Sequence, residues 1–429
     1  MKAEFARMSS LPGDNIGDLN AWIHVGNSQP DAILSLKGVP LASRLVLKVL
    51  SRIEYGIIGM VLPDGRRFAF RGTKPGPEGV IVLNDHKALR RALSGGSLGF
   101  AEAYLDGQWQ TDRLTSVLEC MVVNAKPFGE FFNIAAIRRV YDRVMHMLRP
   151  NTRSGARKNI HAHYDLGNAF YARWLDDTMT YSAARFERST DDLAKAQTAK
   201  YKALADMMEL KPGERVLEIG CGWGGFAEYA ARERGAHVTA VTISREQLEF
   251  ARARMARQGL SDKVEIRFQD YRDIEGQFEK IASIEMFEAV GERYWPAYFD
   301  KISQVLKPGG IAALQVITIE DASFDEYRRT VDFIQKYVFP GGMLPSMTAL
   351  KKEVQNSSLK WETHFGFALD YARTLSEWQT RFLAAWDDIR EMGFDERFKR
   401  LWTYYLSYCE AGFRAGSIDV IQMKISKPA

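Results

Sequence analysis

The sequence predicts an α/β protein, a doubly wound parallel sheet in the second half with a smaller N-terminal α+β domain before it. Three observations carry this. From Leu210 onward, short apolar strands alternate with amphipathic helical stretches, the pattern of a parallel sheet covered on both faces. A glycine-dense loop, Gly220-Cys221-Gly222-Trp223-Gly224-Gly225, follows the first of those strands and opens a helix. Before position 125 the pattern is different, with a hairpin signal and short helices. With 429 residues the chain is too long for one ordinary domain. The reading divides it at 1–125, 126–160 and 161–429.

In the front domain, Leu45-Val46-Leu47 with Val49-Leu50 reads as a helix. Gly59-Met60-Val61-Leu62 and Phe68-Ala69-Phe70 flank Pro63-Asp64-Gly65, a turn signal between two strands. Val80-Ile81-Val82-Leu83 supplies a third strand, and a helix begins at Ser97 and ends at Asp106-Gly107. In the second half the strands are Arg215–Ile219, His237–Thr242, Val264–Phe268, Lys280–Ile284 and Ile311–Leu314. Helices run from Gly225 to Arg234 and from Glu246 to Gln258. The last hundred residues read as helical and aromatic, before a final strand from Ile418 to Ile425.

Hydrophobic residues make up 46% and charged residues 26%, which excludes disorder, collagen and coiled coil. No run of eighteen apolar residues spans a bilayer, and the start lacks the apolar core of a secretion signal. Three cysteines, Cys120, Cys221 and Cys409, have no CxxC spacing. They fit a reducing cytoplasm and give no disulfide framework or zinc site. His161, His163 and His237 do not form a metal set, so no metal is expected.

The net charge of +4 conceals an asymmetry. Residues 1–160 hold 22 Lys/Arg against 14 Asp/Glu, and the remainder 36 against 40. Within 126–160, Arg138, Arg139, Arg143, Arg149, Arg153, Arg157 and Lys158 face one acid, Asp142, between positions 134 and 160. Any single arginine there reads as part of a solvated linker helix. Together, with Ile137, Val140, Val144, Met145 and Met147 interleaved, they suit an anionic membrane surface, where each cation contributes about 1 kcal/mol.

The glycine loop admits two readings. As GxGxxG it matches a dinucleotide fingerprint, but that fingerprint wants an acid at the end of the second strand. Here the second strand ends Val241-Thr242-Ile243-Ser244, with no acid before Glu246. Read as E-x-G-x-G-x-G from Glu218 through Gly220, Gly222 and Gly224, it looks like the first motif of class I S-adenosylmethionine-dependent methyltransferases. Leu306-Lys307-Pro308-Gly309-Gly310, just before a strand, is a familiar companion in that class. A packing loop in some other α/β sheet is the remaining alternative.

Further motifs narrow the class. His161-Ala162-His163-Tyr164-Asp165-Leu166-Gly167-Asn168 runs into Thr180-Tyr181-Ser182. Glu285-Met286-Phe287-Glu288-Ala289-Val290-Gly291, Phe339-Pro340-Gly341-Gly342-Met343 and Asp370-Tyr371-Ala372-Arg373-Thr374-Leu375 follow in order. These stretches resemble the cyclopropane-fatty-acyl-phospholipid synthase and mycolic acid cyclopropane synthase family. The resemblance is dense over 160–425 and looser at Gly99–Gly107.

The resemblance implies a class I methyltransferase (Rossmann-like) catalytic domain over 161–429, with S-adenosylmethionine as cofactor. It puts Tyr181, Ser182 and Gly220 at the methionine end, Thr242 and Gln247 around the ribose, and Asp270 and Tyr271 on the adenine side. The implied reaction is methyl transfer to a double bond in unsaturated acyl chains of membrane phospholipids. Aromatic faces of Phe287, Tyr337 and Tyr371 are candidates for steadying the resulting cation. Loss of a proton from the added methyl closes a cyclopropane; loss from an adjacent carbon leaves a methyl-branched or methylene product.

In ring-closing members the base is a bound bicarbonate. This chain keeps that site's glutamate as Glu288, its tyrosine as Tyr371 and its isoleucine as Ile317. It departs at Ala183, where the family has cysteine, and at Gln315, where it has histidine. Gln315 donates through its amide but carries no charge, and Ala183 offers no polar side chain. The departures weigh against bicarbonate and towards a methyl-branched or methylated, furan-precursor product. Genuine ring closure is the alternative, and a catalytically decayed lipid-binding protein is the alternative of another class. Nucleic acid is not an expected partner, since no base-methylation motif of the Asn/Asp-Pro-Pro-Tyr kind is present. The front domain and basic segment are expected to hold the enzyme on the inner face of the cytoplasmic membrane, and a homodimer is compatible with this kind of enzyme.

Overall fold

A computed structural model describes Leu19 and residues 22–25, 33–132 and 166–429. The basic stretch from Arg138 to Lys158, together with His161 and His163, lies outside the described residues. Among those described, no helix is long and apolar enough to cross a membrane, and no cluster of three or more His, Cys, Asp or Glu is arranged for a metal. The chain divides into two compact units.

The first unit holds a five-stranded sheet of β1 (Ile23–Val25), β2 (Tyr55–Val61), β3 (Arg67–Arg71), β4 (Lys74–Leu83) and β5 (Trp109–Gln110), in the order β1-β3-β2-β4-β5. The hairpin β2–β3 is antiparallel and turns at Pro63-Asp64-Gly65. There Gly65 takes a φ of 86° and the Asp64 carboxylate accepts the Arg66 N–H at 3.1 Å. Buried Asn124, at the end of the helix Leu114–Val123, accepts the N–H groups of Glu54 and Tyr55 and donates to the Tyr55 carbonyl. That one side chain ties the helix to the start of β2.

The helix Glu396–Arg414 belongs to this first unit, although it lies within the 161–429 stretch that the sequence reading treats as one domain. Tyr404 packs on Tyr104 with ring centroids 5.6 Å apart, and Thr115 donates to Glu410 at 3.1 Å. An amphipathic pattern says that a helix buries one face; it does not say against which unit.

The second unit is built on seven strands: β6 (Arg215–Ile219), β7 (His237–Thr242), β8 (Val264–Phe268), β9 (Phe278–Ile284), β10 (Leu306–Ile319), β11 (Lys360–Gly366) and β12 (Ile418–Ser426). Their order is β11-β12-β10-β9-β6-β7-β8. The five strands from β10 to β8 are parallel, while β12 runs antiparallel to both β10 and β11. The six expected strands are therefore present in an α/β sheet, but the sheet is mixed at one edge. β11, Lys-Trp-Glu-Thr-His-Phe-Gly, is missing from the sequence reading because only Trp361 and Phe365, both half-buried, mark one side of it among exposed polar residues. It is an edge strand whose charges discourage further pairing.

Chain order reverses at the β6–β9 pair: β7 and β8 extend the sheet one way, β9 and β10 the other. Ligands of open α/β sheets sit at the carboxyl ends of strands at this switch point. Two segments emerge there, the loop after β6 and the segment Glu285–Ala289 after β9.

Candidate active site

The loop after β6 is shaped by its glycines. Gly220, Gly222 and Gly224 have φ of 82°, 52° and 84°, a region that side chains make costly. A Cβ on Gly220 would lie 2.6 Å from the Met286 side chain, so only glycine lets the β6 and β9 loops lie side by side. Gly224 caps the helix Gly225–Arg234, whose first N–H groups face the loop. The cleft above holds about 410 Å³ of space open to solvent. It is lined by Tyr181, Ser182, Glu218, Gly220, Gly222 and Gln247 among the expected residues, and by Tyr201 and Trp223 besides. Aromatic packing fixes Tyr181, with Tyr171, Trp174 and Trp378 rings centred 5.4, 5.5 and 5.2 Å away.

The other expected cofactor residues stand around this cleft. Buried Thr242 donates to Gln247 Oε1 at 2.9 Å and accepts the Ser244 N–H. Asp270 is buried and holds the Arg272 guanidinium in two bonds, at 2.8 and 2.7 Å. Beside it the Tyr271 ring packs on Tyr298 at 5.3 Å, and burial pushes its hydroxyl up to about 12. Gly224, Thr242, Asp270 and Tyr271 do not line the cleft itself.

Glu218 is buried, its Oε2 has no hydrogen-bond partner among the described residues, and burial pushes its carboxyl up to about 8 against the pull of Lys200. A bound ammonium would draw this buried carboxyl back to its charged form, and the helix N–H groups suit an anionic group, so the pair fits the zwitterionic end of S-adenosylmethionine.

At the end of β9 the structure assembles a second cluster around a residue absent from the sequence-derived set. Glu285 Oε1 accepts the Ala183 N–H at 2.8 Å and the Gln315 amide at 2.7 Å, and Glu285 Oε2 accepts the Tyr371 hydroxyl at 2.6 Å. Three of the positions expected to surround an external anion thus converge on an internal carboxylate. Burial pushes the Glu285 carboxyl upward, opposed by the Tyr371 hydroxyl, the Lys200 charge and the other two donors. Its φ is 48°, left-handed backbone that a non-glycine residue holds only at a cost of about 1–3 kcal/mol.

Glu288, the expected catalytic carboxylate, stands three residues on. Its Oε1 accepts the Ile317 N–H at 2.5 Å, while its buried Oε2 has no partner among the described residues. Burial and the nearby Glu285 push it up to about 8. Gln315 and Tyr371 are therefore brought together on Glu285, and Ile317 on Glu288. Phe287, expected near a cation, is buried in the core against Trp295, Tyr298 and Phe299. The signal for Glu285 was a carboxylate directly after an apolar strand, in a stretch already quoted for its family likeness.

Comparisons with known proteins show the family. The family model for mycolic acid cyclopropane synthetase matches residues 151–423. The chain belongs to that family. It is 37% identical over 424 residues to the tuberculostearic acid methyltransferase UfaA1 of Mycobacterium tuberculosis, covering 94% of this chain and 95% of that one. It is 40% identical over 368 residues to the cyclopropane-fatty-acyl-phospholipid synthase of Escherichia coli K12, covering 84% and 90%. Among solved structures, the mycolic acid cyclopropane synthase CmaA1 complexed with SAH and CTAB superposes with a TM-score of 0.60 at 28% identity, over 63% of this chain and 98% of that one. The protein is an S-adenosylmethionine-dependent methyltransferase of the cyclopropane fatty acid synthase type, with the class I fold expected.

Proposed function

We propose that the enzyme methylates a double bond of an unsaturated phospholipid acyl chain and releases a methyl-branched product, with Glu285 as the base. The observation that carries this reading is the ring of donors from Ala183, Gln315 and Tyr371 closed on the Glu285 carboxylate. An internal carboxylate fills the position that an external bicarbonate needs, so bicarbonate has no role. The names of the relatives divide between methyltransferase and cyclopropane synthase, and the donor ring favours the former.

S-adenosylmethionine, when bound, supplies the methyl group. The chain's own residues do the rest. Tyr181, Ser182, Gly220 and Gly222 hold the methionine end; Thr242, Gln247, Asp270 and Tyr271 lie towards the ribose and adenine. The three donors keep Glu285 ionised, and its Oε2 takes the proton that the alkylated chain must lose. A carboxylate fixed on the β9 end has less freedom of approach than a separate anion, and in this reading it takes a proton from a neighbouring chain carbon. Glu288, protonated at neutral pH, stands beside it as the uncharged member of the pair.

The test is a reaction of the purified protein with S-adenosylmethionine and vesicles of an unsaturated phospholipid, followed by proton NMR of the extracted lipid. Methyl-branched alkene signals and indifference to added bicarbonate are expected. A wholly cyclopropane product, or a rate that rises with bicarbonate, would overturn the reading.

The basic stretch Arg138–Lys158 adds a peripheral contact with anionic lipid. Vesicle binding should weaken as salt rises, since exposed charges are screened beyond about 8 Å at physiological ionic strength. Charge reversal at Arg138, Arg139 and Arg143 should lower activity on vesicles more than on detergent-dispersed lipid; equal loss on both removes the segment from the mechanism.

A further inference from the structure

The floor of the cleft contains two hydroxyl groups whose hydrogen-bond polarity is set from below. Lys200 is fully buried, and its Nζ lies 2.6 Å from Ser182 Oγ and 4.5 Å from the Tyr201 ring centroid. Glu285, Asp176 and Glu218 surround it and favour its ammonium form; burial alone opposes them and draws the group down to about 7. An ammonium has only protons to give. In its ammonium form, which an anionic group bound over Ser182 favours, Lys200 donates to Ser182 Oγ, and the serine's own O–H is left to donate.

The second hydroxyl is polarised the opposite way. Asp176 Oδ2 accepts both the N–H of Thr178 at 3.0 Å and its hydroxyl at 2.5 Å. With its proton committed, Thr178 Oγ1 accepts from Thr180 Oγ1 at 2.8 Å. Thr180 Oγ1 in turn accepts from the Tyr201 hydroxyl at 2.7 Å. Tyr201 Oη lines the cleft with its proton directed away, and so presents lone pairs, as the unpartnered Glu218 Oε2 does.

We propose that Lys200, acting through Ser182, and the Asp176–Thr178–Thr180 chain, acting through Tyr201, are positioning residues that make the cleft read a zwitterionic α-amino-acid end in one orientation. Ser182 donates to the ligand's carboxylate; Tyr201 Oη and Glu218 Oε2 accept from its ammonium. The two senses of polarity come from consecutive residues of one helix, Leu193–Met207, whose side chains at 200 and 201 reach different partners. The inference concerns recognition of the methyl donor alone, so it stands or falls separately from the product assigned to Glu285.

Calorimetry without any acyl substrate tests it, using S-adenosylhomocysteine, its decarboxylated analogue and 5′-methylthioadenosine, which lacks the whole amino-acid end. Lys200→Met should weaken S-adenosylhomocysteine about tenfold or more, because a hydrogen bond to a charged group is lost. It should change the decarboxylated analogue and 5′-methylthioadenosine by less than about twofold. Lys200→Gln, which still donates to Ser182, should recover part of the loss. Tyr201→Phe should weaken both ligands that carry the ammonium and spare 5′-methylthioadenosine. Should Lys200→Met fail to fold, Ser182→Ala must show the same selective loss of the carboxylate ligand. Equal weakening of all three ligands, or no weakening, would overturn the proposal.

Discussion

The two ends of the site, at β6 and at β9, are built on different principles. The β6 end is made of backbone: three glycines at positive φ and a helix start, all within a few residues. The β9 end is made from four separated segments, the side chains of Glu285, Gln315 and Tyr371 with the backbone N–H of Ala183, that meet only in the folded unit. Backbone sites announce themselves by spacing along the chain. Side-chain sites are announced by nothing local, and the partner of each residue must be seen.

The largest expected effect comes from emptying the β9 end. Glu285→Gln should lower kcat by roughly 10²- to 10⁴-fold, the usual worth of a positioned base. Affinity for S-adenosylhomocysteine, measured by calorimetry, should stay within about twofold. Glu285→Gly should relieve the left-handed backbone and open the ring of donors to solvent. Combined with Ala183→Cys and Gln315→His, it should yield a bicarbonate-stimulated enzyme with cyclopropane in its product by NMR. Ala183→Cys with Gln315→His alone should not, because Glu285 still fills the position; a ring product from that pair would break the contrast drawn above.

At the β6 end, Gly220→Val should reduce S-adenosylhomocysteine binding by about a hundredfold or more, since its side chain meets Met286 and its φ is unfavourable. Wild-type affinity in that variant would show that the loop is not backbone-limited.

Tyr371→Phe should have an intermediate effect with a distinctive pH signature. The Tyr371 hydroxyl stabilises the charged Glu285 carboxylate, so its loss raises that group further. The base then ionises only at higher pH, and the acid limb of the kcat profile moves upward. An unmoved limb with lower kcat would give Tyr371 a purely spatial role.

The last expected effect is on stability. Glu288 is protonated in the folded state up to about 8 but ionises near its ordinary value of 4.5 when unfolded. Between those values the folded state binds the extra proton, so stability falls as pH rises, by at most about 1.4 kcal/mol per pH unit from this group. Thermal unfolding of Glu288→Gln from pH 5 to 8 should show a shallower decline than the parent. An identical slope would mean that Glu288 keeps its ordinary ionisation in the fold.

This contrast explains what the sequence revealed. Arg215–Ile219, Gly225–Arg234 and His237–Thr242 were legible to the residue, because apolar runs and glycine breaks mark them locally. The strand Lys360–Gly366 was not, since two apolar residues, Trp361 and Phe365, are too few to mark a buried face. Glu288 was legible only as a family likeness, and that likeness drew attention away from Glu285. In the sequence alone, Ala183 and Gln315 are losses of two anion ligands. In the fold they are the positions that admit and hold a glutamate.

The detour through Glu396–Arg414 has a consequence for how the enzyme can be taken apart. The chain leaves the catalytic unit at Phe394, contributes a helix to the first unit, and returns at Gly416 to lay down β12. That last strand is no ornament: Gln422 donates to Gln315 Oε1 at 3.0 Å and to the Lys200 carbonyl at 3.2 Å, bracing both ends of the site at once. No single cut yields an intact catalytic module. Removing residues after 394 strips the sheet of a central neighbour of β10, while any fragment that retains β12 carries the first unit's helix with it. A catalytic fragment of this chain that keeps β12 therefore either carries the helix Glu396–Arg414 without its first-unit neighbours or splices 394 to 416.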